Sequence, residues 1–134
     1  MPRDIYPSMR YRDARAAIDW LQRAFAFQTH VAHENPDGTI AHAELRYGDG
    51  LVMLGSWRGD DDHRRPGQGW AYVAVDDLDA HLRQAREAGA EIVDGPQHED
   101  YGSFYGARDP EGNLWSFGTY RPALECHGTC GRVH

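Results

Sequence analysis

The feature that most constrains the fold is an aromatic hairpin late in the chain, at residues 101–120. Its sequence, YGSFYGARDPEGNLWSFGTY, carries β-type aromatic runs on both sides of a turn, DPEGN. Pro110 fixes φ for the second position of a turn, and Gly112 can adopt a positive φ. Aromatic residues suit a pleated, half-buried surface. We therefore predict two antiparallel strands joined at residues 109–113.

An earlier segment, residues 45–54, repeats this pattern more weakly, since LRYGDGLVML reads as a strand, an Asp-Gly turn and a strand. Each hairpin follows a strand, a helix-capping aspartate, an amphipathic helix and a further strand. The capping aspartates are Asp13 and either Asp76 or Asp77. Aligning Asp13 with Asp77 places Tyr6 on Trp70. The chain is therefore predicted to be an internal repeat of two βαβββ units.

This repeat predicts an α+β fold of two tandem βαβββ modules. Each module is expected to form a curved mixed sheet, with its helix on the convex face and its concave face left free. The modules span about residues 4–57 and 70–120, joined by a polar linker at 58–69. Within the linker, three consecutive aspartates, 60–62, are interpreted as solvated. In the second module, Gly95-Pro96 is predicted to break the strand that begins at Glu91.

Length and charge limit the number of domains and the classes of partner. The chain has 134 residues, which suits one domain at residues 1–120 with a tail at 121–134. The formal net charge of −7 disfavours nucleic acid and anionic membranes as partners. No apolar run is long enough to span a bilayer, and residues 1–10 lack the apolar stretch of a secretory signal. We therefore expect a cytoplasmic protein.

Several local motifs carry a resemblance to a known family. These motifs are Tyr101-Gly102, Tyr105-Gly106 and the turn sequence DPxGNxW at residues 109–115. Together with the paired modules, they resemble the vicinal oxygen chelate superfamily, which includes glyoxalase, bleomycin-resistance and extradiol-dioxygenase proteins. The resemblance covers about residues 4 to 120. It implies the fold more strongly than an activity, because this fold hosts both metal enzymes and plain binding proteins.

The resemblance also implies where a metal would be held in the enzymes of the family. Carried onto this chain, the four ligand positions are Tyr6, Glu44, Trp70 and Ser116. Only Glu44 is a good ligand, since a divalent site needs several His or carboxylate donors and an indole nitrogen only donates. The resemblance therefore favours the metal-free branch, with no cofactor and no catalytic residue. The alternative is a metal-dependent lyase, isomerase or dioxygenase of the same superfamily, acting through Glu44 and His42.

For metal-free members of the bleomycin-resistance type, the resemblance implies a homodimer whose concave grooves sequester an aromatic, cationic antibiotic. We expect binding of such an aromatic small molecule, with or without a positive charge, rather than catalysis. The residues expected to bind the ligand are Tyr6, His42, Glu44, Trp57, Trp70, Tyr72, Tyr105 and Ser116.

Less specific readings stay open for some of these residues. His42 and Glu44 share one face of a strand, which could be a solvated surface. Tyr6 and Trp70 could be core residues, because large aromatics pack more often than they bind. Strand alternation allows only one of Phe104 and Tyr105 into the groove.

The tail contains a cluster of sulfur and imidazole side chains that are suited to zinc. Their spacing matches no zinc signature, so a metal site, a disulfide and free thiols all remain open. The cluster consists of Cys126, His127, Cys130 and His134.

Overall fold

The computed structural model describes residues 4–123, so the cysteine and histidine cluster of the tail lies outside the described residues. The elements follow the order βαβββ twice, which confirms the predicted α+β fold. The first module contains β1 (Ser8–Tyr11), α1 (Ala14–Phe25), β2 (Gln28–Glu34), β3 (Ile40–Tyr47) and β4 (Gly50–Ser56). The second module contains β5 (Trp70–Ala74), α2 (Leu78–Glu87), β6 (Glu91–Glu99), β7 (Gly102–Arg108) and β8 (Leu114–Gly118).

Each module forms one four-stranded mixed sheet. The strand orders are β1-β4-β3-β2 and β5-β8-β7-β6, which are equivalent in the repeat. The first strand of each module runs parallel to the last, and the other pairs are antiparallel. The strand registers match as well. Ser8 is equivalent to Tyr72 in the repeat, and their parallel partners, Met53 and Ser116, are equivalent in the same way.

Both helices begin where the sequence predicts. The side chain of Asp13 accepts a hydrogen bond from the Ala16 backbone N–H, and that of Asp77 accepts one from Ala80. Such N-caps satisfy backbone donors that have no partner within the helix. The α1 helix ends at Phe25, and its C-cap residue, Ala26, adopts a left-handed conformation with a φ of 65°.

The two helices lie between the two sheets and share one core with their inner faces. The Phe25 ring of α1 lies 4.6 Å from the Phe117 ring of the second sheet, measured between centroids. From α2, the His81 Nε2 lies 2.9 Å from the Phe25 carbonyl oxygen. Because alternate strand residues point to opposite faces, the remaining face of each sheet points outward. The two outward faces therefore lie on opposite sides of the chain.

The β6 strand differs from its prediction, because it continues through Gly95-Pro96 to Glu99. It is an edge strand, where proline removes no hydrogen bond that an inner strand needs. The pairing with β7 shifts register on both sides of Asp94, which absorbs the irregularity.

The linker also differs from its prediction, because Asp62 is buried rather than solvated. Its carboxylate accepts hydrogen bonds from the Arg64 side chain and from the backbone N–H groups of Arg58 and Arg64. The Arg64 hydrogen bond lowers the pKa of Asp62 to about 2. A second guanidinium, that of Arg10, lies 3.8 Å from the same carboxylate. Two arginine side chains therefore hold in place an aspartate that the charge pattern predicted to be solvated.

Neither helix resembles a membrane span. Within residues 4–123, no helix is long and apolar enough to cross a bilayer.

Candidate functional site

The outward face of the second sheet carries an aromatic pocket, which we call the aromatic face. Its cavity has a volume of about 240 Å³. Three of the predicted ligand-binding residues meet there, and three further aromatic residues complete the walls. The lining residues are Trp70, Tyr72, Tyr101, Gly102, Ser103, Phe104, Ser116 and Tyr120.

Trp70 is the tryptophan that lines this pocket, and it is 72% exposed to solvent. Its indole Nε1–H donates a hydrogen bond of 2.9 Å to the Ser116 hydroxyl. That bond fixes the ring orientation while leaving the flat π surface open. A side chain that is already oriented loses less conformational entropy when a ligand binds.

Tyr72 forms the neighbouring wall and is held in a similar way. Its hydroxyl donates a hydrogen bond of 2.6 Å to the Tyr120 carbonyl oxygen. Partial burial raises the pKa of Tyr72 above its usual value, so the phenol stays neutral. The ring lies against the backbone of Gly118, where an added Cβ would stand 2.6 Å from the hydroxyl oxygen. A glycine is therefore needed at this position for the tyrosine to lie over the sheet.

The outward face of the first sheet is chemically different, and we call it the polar face. His42 and Glu44 lie there side by side, with 2.8 Å between Nε2 and Oε2. The His33 ring stacks on His42 at a centroid distance of 6.5 Å. Met53 pairs with Glu44 in register and supplies an apolar neighbour. This face offers a carboxylate and hydrogen-bonding imidazoles, and within residues 4–123 it carries no tryptophan as exposed as Trp70.

Tyr105 does not belong to either face, so its prediction as a ligand-binding residue is wrong. It is fully buried, and its hydroxyl donates a hydrogen bond of 2.5 Å to the His81 Nδ1. The inner face of β7 packs on α2, so Tyr105 enters the core and its neighbour Phe104 lines the aromatic pocket. Strand alternation contained this signal but could not choose between the two residues.

Trp57 and Tyr6 also lie apart from the aromatic face. Trp57 follows β4, and its indole N–H donates to the Asp62 carbonyl oxygen at 2.9 Å. The Arg12 guanidinium lies 4.9 Å from the Trp57 ring, so this tryptophan supports the linker. Tyr6 precedes β1 and lines a separate cavity between the modules, of about 1040 Å³.

The four positions that the resemblance assigned to a metal do not form one site. Trp70 and Ser116 are together, but each uses its polar atom to bind the other. Glu44 lies on the opposite side of the chain, on the polar face. By register, the repeat counterpart of Ser116 is Met53, and that of Glu44 is Gly106. Among residues 4–123, no group of three or more His, Cys, Asp or Glu side chains could hold a metal ion. These donors therefore do not fit a divalent cation.

The fold and these faces define a two-module protein of the glyoxalase type. Residues 6–117 match the model of the Glyoxalase/Bleomycin resistance protein/Dioxygenase superfamily. The chain belongs to this superfamily.

Individual relatives agree with this assignment. An uncharacterised protein of Mycobacterium bovis is 31% identical over 126 residues, covering 84% of this chain and 80% of the relative. The crystal structure of TioX from Micromonospora sp. ML1 is similar with a TM-score of 0.75 and 31% identity, covering 90% of this chain and all of TioX. TnmS3, an antibiotic binding protein from Streptomyces sp. CB03234, has a TM-score of 0.68 at 20% identity, over 87% of this chain and 96% of TnmS3. At that identity, TnmS3 supports the fold alone.

Proposed function

We propose that this protein binds an aromatic small molecule, such as an antibiotic, on its aromatic face and sequesters it without a metal. One observation carries the proposal. Trp70 is 72% exposed, yet its indole N–H is already bonded to Ser116. A large exposed indole whose orientation is fixed is a poor core residue and a good stacking platform.

The energetics suit a planar ligand. Each aromatic pair contributes about 0.5–1.5 kcal/mol beyond the area that it buries. Trp70, Tyr72 and Phe104 all line the same pocket, so one flat molecule can contact several rings. TnmS3, which has the same fold, is described as an antibiotic binding protein.

We further propose that the protein is a homodimer and that its complete cleft needs two copies. The aromatic and polar faces point away from each other within one chain, so each face is half of a cleft. Placing the polar face of a second copy over the aromatic face would bring Glu44 and His42 to the ligand. A carboxylate there would favour a cationic ligand through a charge-assisted hydrogen bond.

A fluorescence titration with matched tricyclic probes tests the aromatic face. Aminoacridine is the cationic probe and acridone the neutral one. We expect Trp70→Ala to weaken both by at least tenfold, because stacking area and its fixed platform are lost. The matched control is Trp57→Ala, which removes a partly buried indole that lines neither cavity. Equal acridone affinities for wild type and Trp70→Ala would reject the proposed site.

The polar face and the dimer are tested separately. Glu44→Gln should weaken aminoacridine binding by about threefold to tenfold and leave acridone unchanged, as expected for one charge-assisted bond. Light scattering across a dilution series should show a dimer. A monomer that binds with full affinity would contradict the shared cleft while leaving the aromatic face intact.

The absence of a metal role is tested by titrating before and after treatment with a chelator. Unchanged affinity is expected. A stoichiometric metal in the purified protein, together with loss of binding after chelation, would favour the metal-dependent enzyme instead.

A further inference from the structure

The repeat creates two equivalent junctions between the modules. In the first, the turn at residues 109–113 packs on the start of α1. The Glu111 carboxylate accepts hydrogen bonds from the backbone N–H groups of Arg12 and Asp13, at 2.6 and 2.8 Å. We call this the filled junction, because the turn of one module closes directly over the helix of the other.

The second junction is open. Here the β3–β4 turn, at residues 47–50, faces the start of α2 across a cavity of about 1040 Å³. Counted between residues equivalent in register, the segment from Glu44 to Met53 is one residue shorter than the segment from Gly106 to Ser116. In addition, Val75 stands where the repeat has Tyr11, whose hydroxyl reaches the turn at the filled junction. The open junction therefore lacks both groups that close its counterpart.

The walls of this open junction are mainly apolar. Phe27 and Trp115 come from the core, and Val73 comes from the inner face of β5. A volume of this size matches the upper end of typical small-molecule pockets, which are lined by apolar and aromatic groups with a few polar ones. The cavity is therefore large enough for an apolar body of two or more rings.

The mouth of the cavity is acidic. Among the described residues that line it, Asp49, Asp76 and Asp77 supply carboxylates and Arg121 supplies a guanidinium. Arg121 already pairs with Asp76 at 2.9 Å. Burial, and then the charge of Asp76, raises the pKa of the Tyr47 phenol, which therefore remains a neutral hydrogen-bonding group. Carboxylates outnumber guanidinium groups among these described lining residues, which favours a cation at the mouth and disfavours a carboxylate.

We propose that the open junction is a second small-molecule site, which binds lipophilic amines. The apolar or aromatic body would lie against Phe27, Val73 and Trp115, and the ammonium group would face the carboxylates at the mouth. This site is separate from the aromatic face in its lining, since Tyr72 is the only residue that borders both cavities. It goes beyond the proposed function and does not depend on it.

The test uses naphthylmethylamine, with naphthalenemethanol and naphthoate as neutral and anionic probes of the same body. Calorimetric titration is performed on Trp70→Ala protein, so that stacking on the aromatic face contributes little. We expect the amine to bind and the naphthoate to bind at least tenfold more weakly. An amine that does not bind, or a naphthoate that binds equally, would overturn the proposal.

Two variants in the Trp70→Ala protein locate the binding. Ala80→Phe places a ring inside the cavity from α2 and should weaken amine binding at least tenfold. Its matched control is Ala16→Phe, at the equivalent position of α1, where the side chain is exposed and the junction is filled. Equal affinities for the two variants would reject the site.

Asp76→Asn provides an independent measurement that changes no packing, because the Asp76 side chain is 94% exposed. We expect about a threefold loss of amine affinity and no change for naphthalenemethanol, as suits one exposed charge. The same loss for both probes would show that charge does not select the ligand. Since Trp70 is absent throughout, failure here leaves the proposed function untouched, and equal acridone affinities for wild type and Trp70→Ala leave this site untouched, because acridone carries no ammonium group.

Discussion

The two module junctions occupy equivalent places in the repeat, yet they are stabilised in very different ways. At the filled junction, the buried Asp109 carboxylate accepts hydrogen bonds from the Tyr11 hydroxyl and the Trp115 indole, at 2.5 and 3.0 Å. The side-chain amide of Asn113 donates a third bond at 3.1 Å. At the open junction, the turn leaves a cavity.

This difference shows that the repeat preserved the topology but not the packing. One junction carries a buried polar network whose members satisfy one another, and such networks are costly to break. The other junction carries apolar walls and an acidic mouth. A buried hydrogen-bond network and a cavity thus occupy equivalent places in the repeat.

The largest expected effect breaks the filled junction at its centre. Replacing Asp109 by Ala leaves the buried Tyr11 hydroxyl and Trp115 indole N–H without their acceptor, which should lower the free energy of unfolding by about 3–5 kcal/mol. Urea denaturation measures the change. The control is Asp76→Ala at the open junction, where loss of an exposed ion pair should cost at most about 1 kcal/mol. Similar losses for the two variants would contradict this difference between the junctions.

A smaller change removes one hydroxyl from each junction. Tyr11→Phe should lower the free energy of unfolding by about 1–2 kcal/mol, because its hydroxyl donates to a buried carboxylate. Tyr47→Phe, beside the open cavity, should change it by less than about 0.5 kcal/mol. If Tyr47→Phe proves the more destabilising in thermal and urea unfolding, the open junction is better packed than we infer.

The next prediction concerns pH and the shared core beneath both junctions. Burial lowers the pKa of His81, so the folded protein binds this proton less readily than the unfolded chain. The contribution of His81 is therefore constant above about pH 6.5 and is lost as the pH falls below that value, at up to about 1.4 kcal/mol per pH unit. Unfolding measured between pH 5 and 8 should show this loss in wild type. In His81→Gln, the loss over that range should be smaller, and an equal loss would contradict the assignment.

The smallest expected effect concerns the cap that one module supplies to the other. Glu111→Gln keeps the shape but removes the charge at the start of α1, which should cost about 0.5–1 kcal/mol. Glu87→Gln, an exposed glutamate at the end of α2, is the matched control and should not destabilise the protein. Equal losses in urea unfolding would show that the cap contributes nothing specific.

Much of the fold could be predicted because local chemistry encodes it. The DPEGN turn and the capping aspartates Asp13 and Asp77 act over a few residues. Each of them lies where it was expected. The repeat then follows from finding the same local signals twice.

The candidate site was predictable only in part. Trp70, Tyr72 and Ser116 do share one pocket, but whether they bind a ligand remains our proposal. Trp57 and Tyr105 are aromatic as well, but Trp57 supports the linker and Tyr105 lies in the core. Composition does not distinguish these cases, since burial depends on which face of a strand meets the helices.

By itself, the sequence determined the two βαβββ modules, because hydrophobic periodicity, helix caps and turn residues are properties of neighbouring positions. Only the tertiary structure decided that the helices lie between the sheets, that the aromatic and polar faces point apart, and that one junction is closed while the other is open. These features depend on contacts between residues about a hundred positions apart, such as Glu111 with Arg12. No local pattern records such contacts, because they exist only once the two modules pack together.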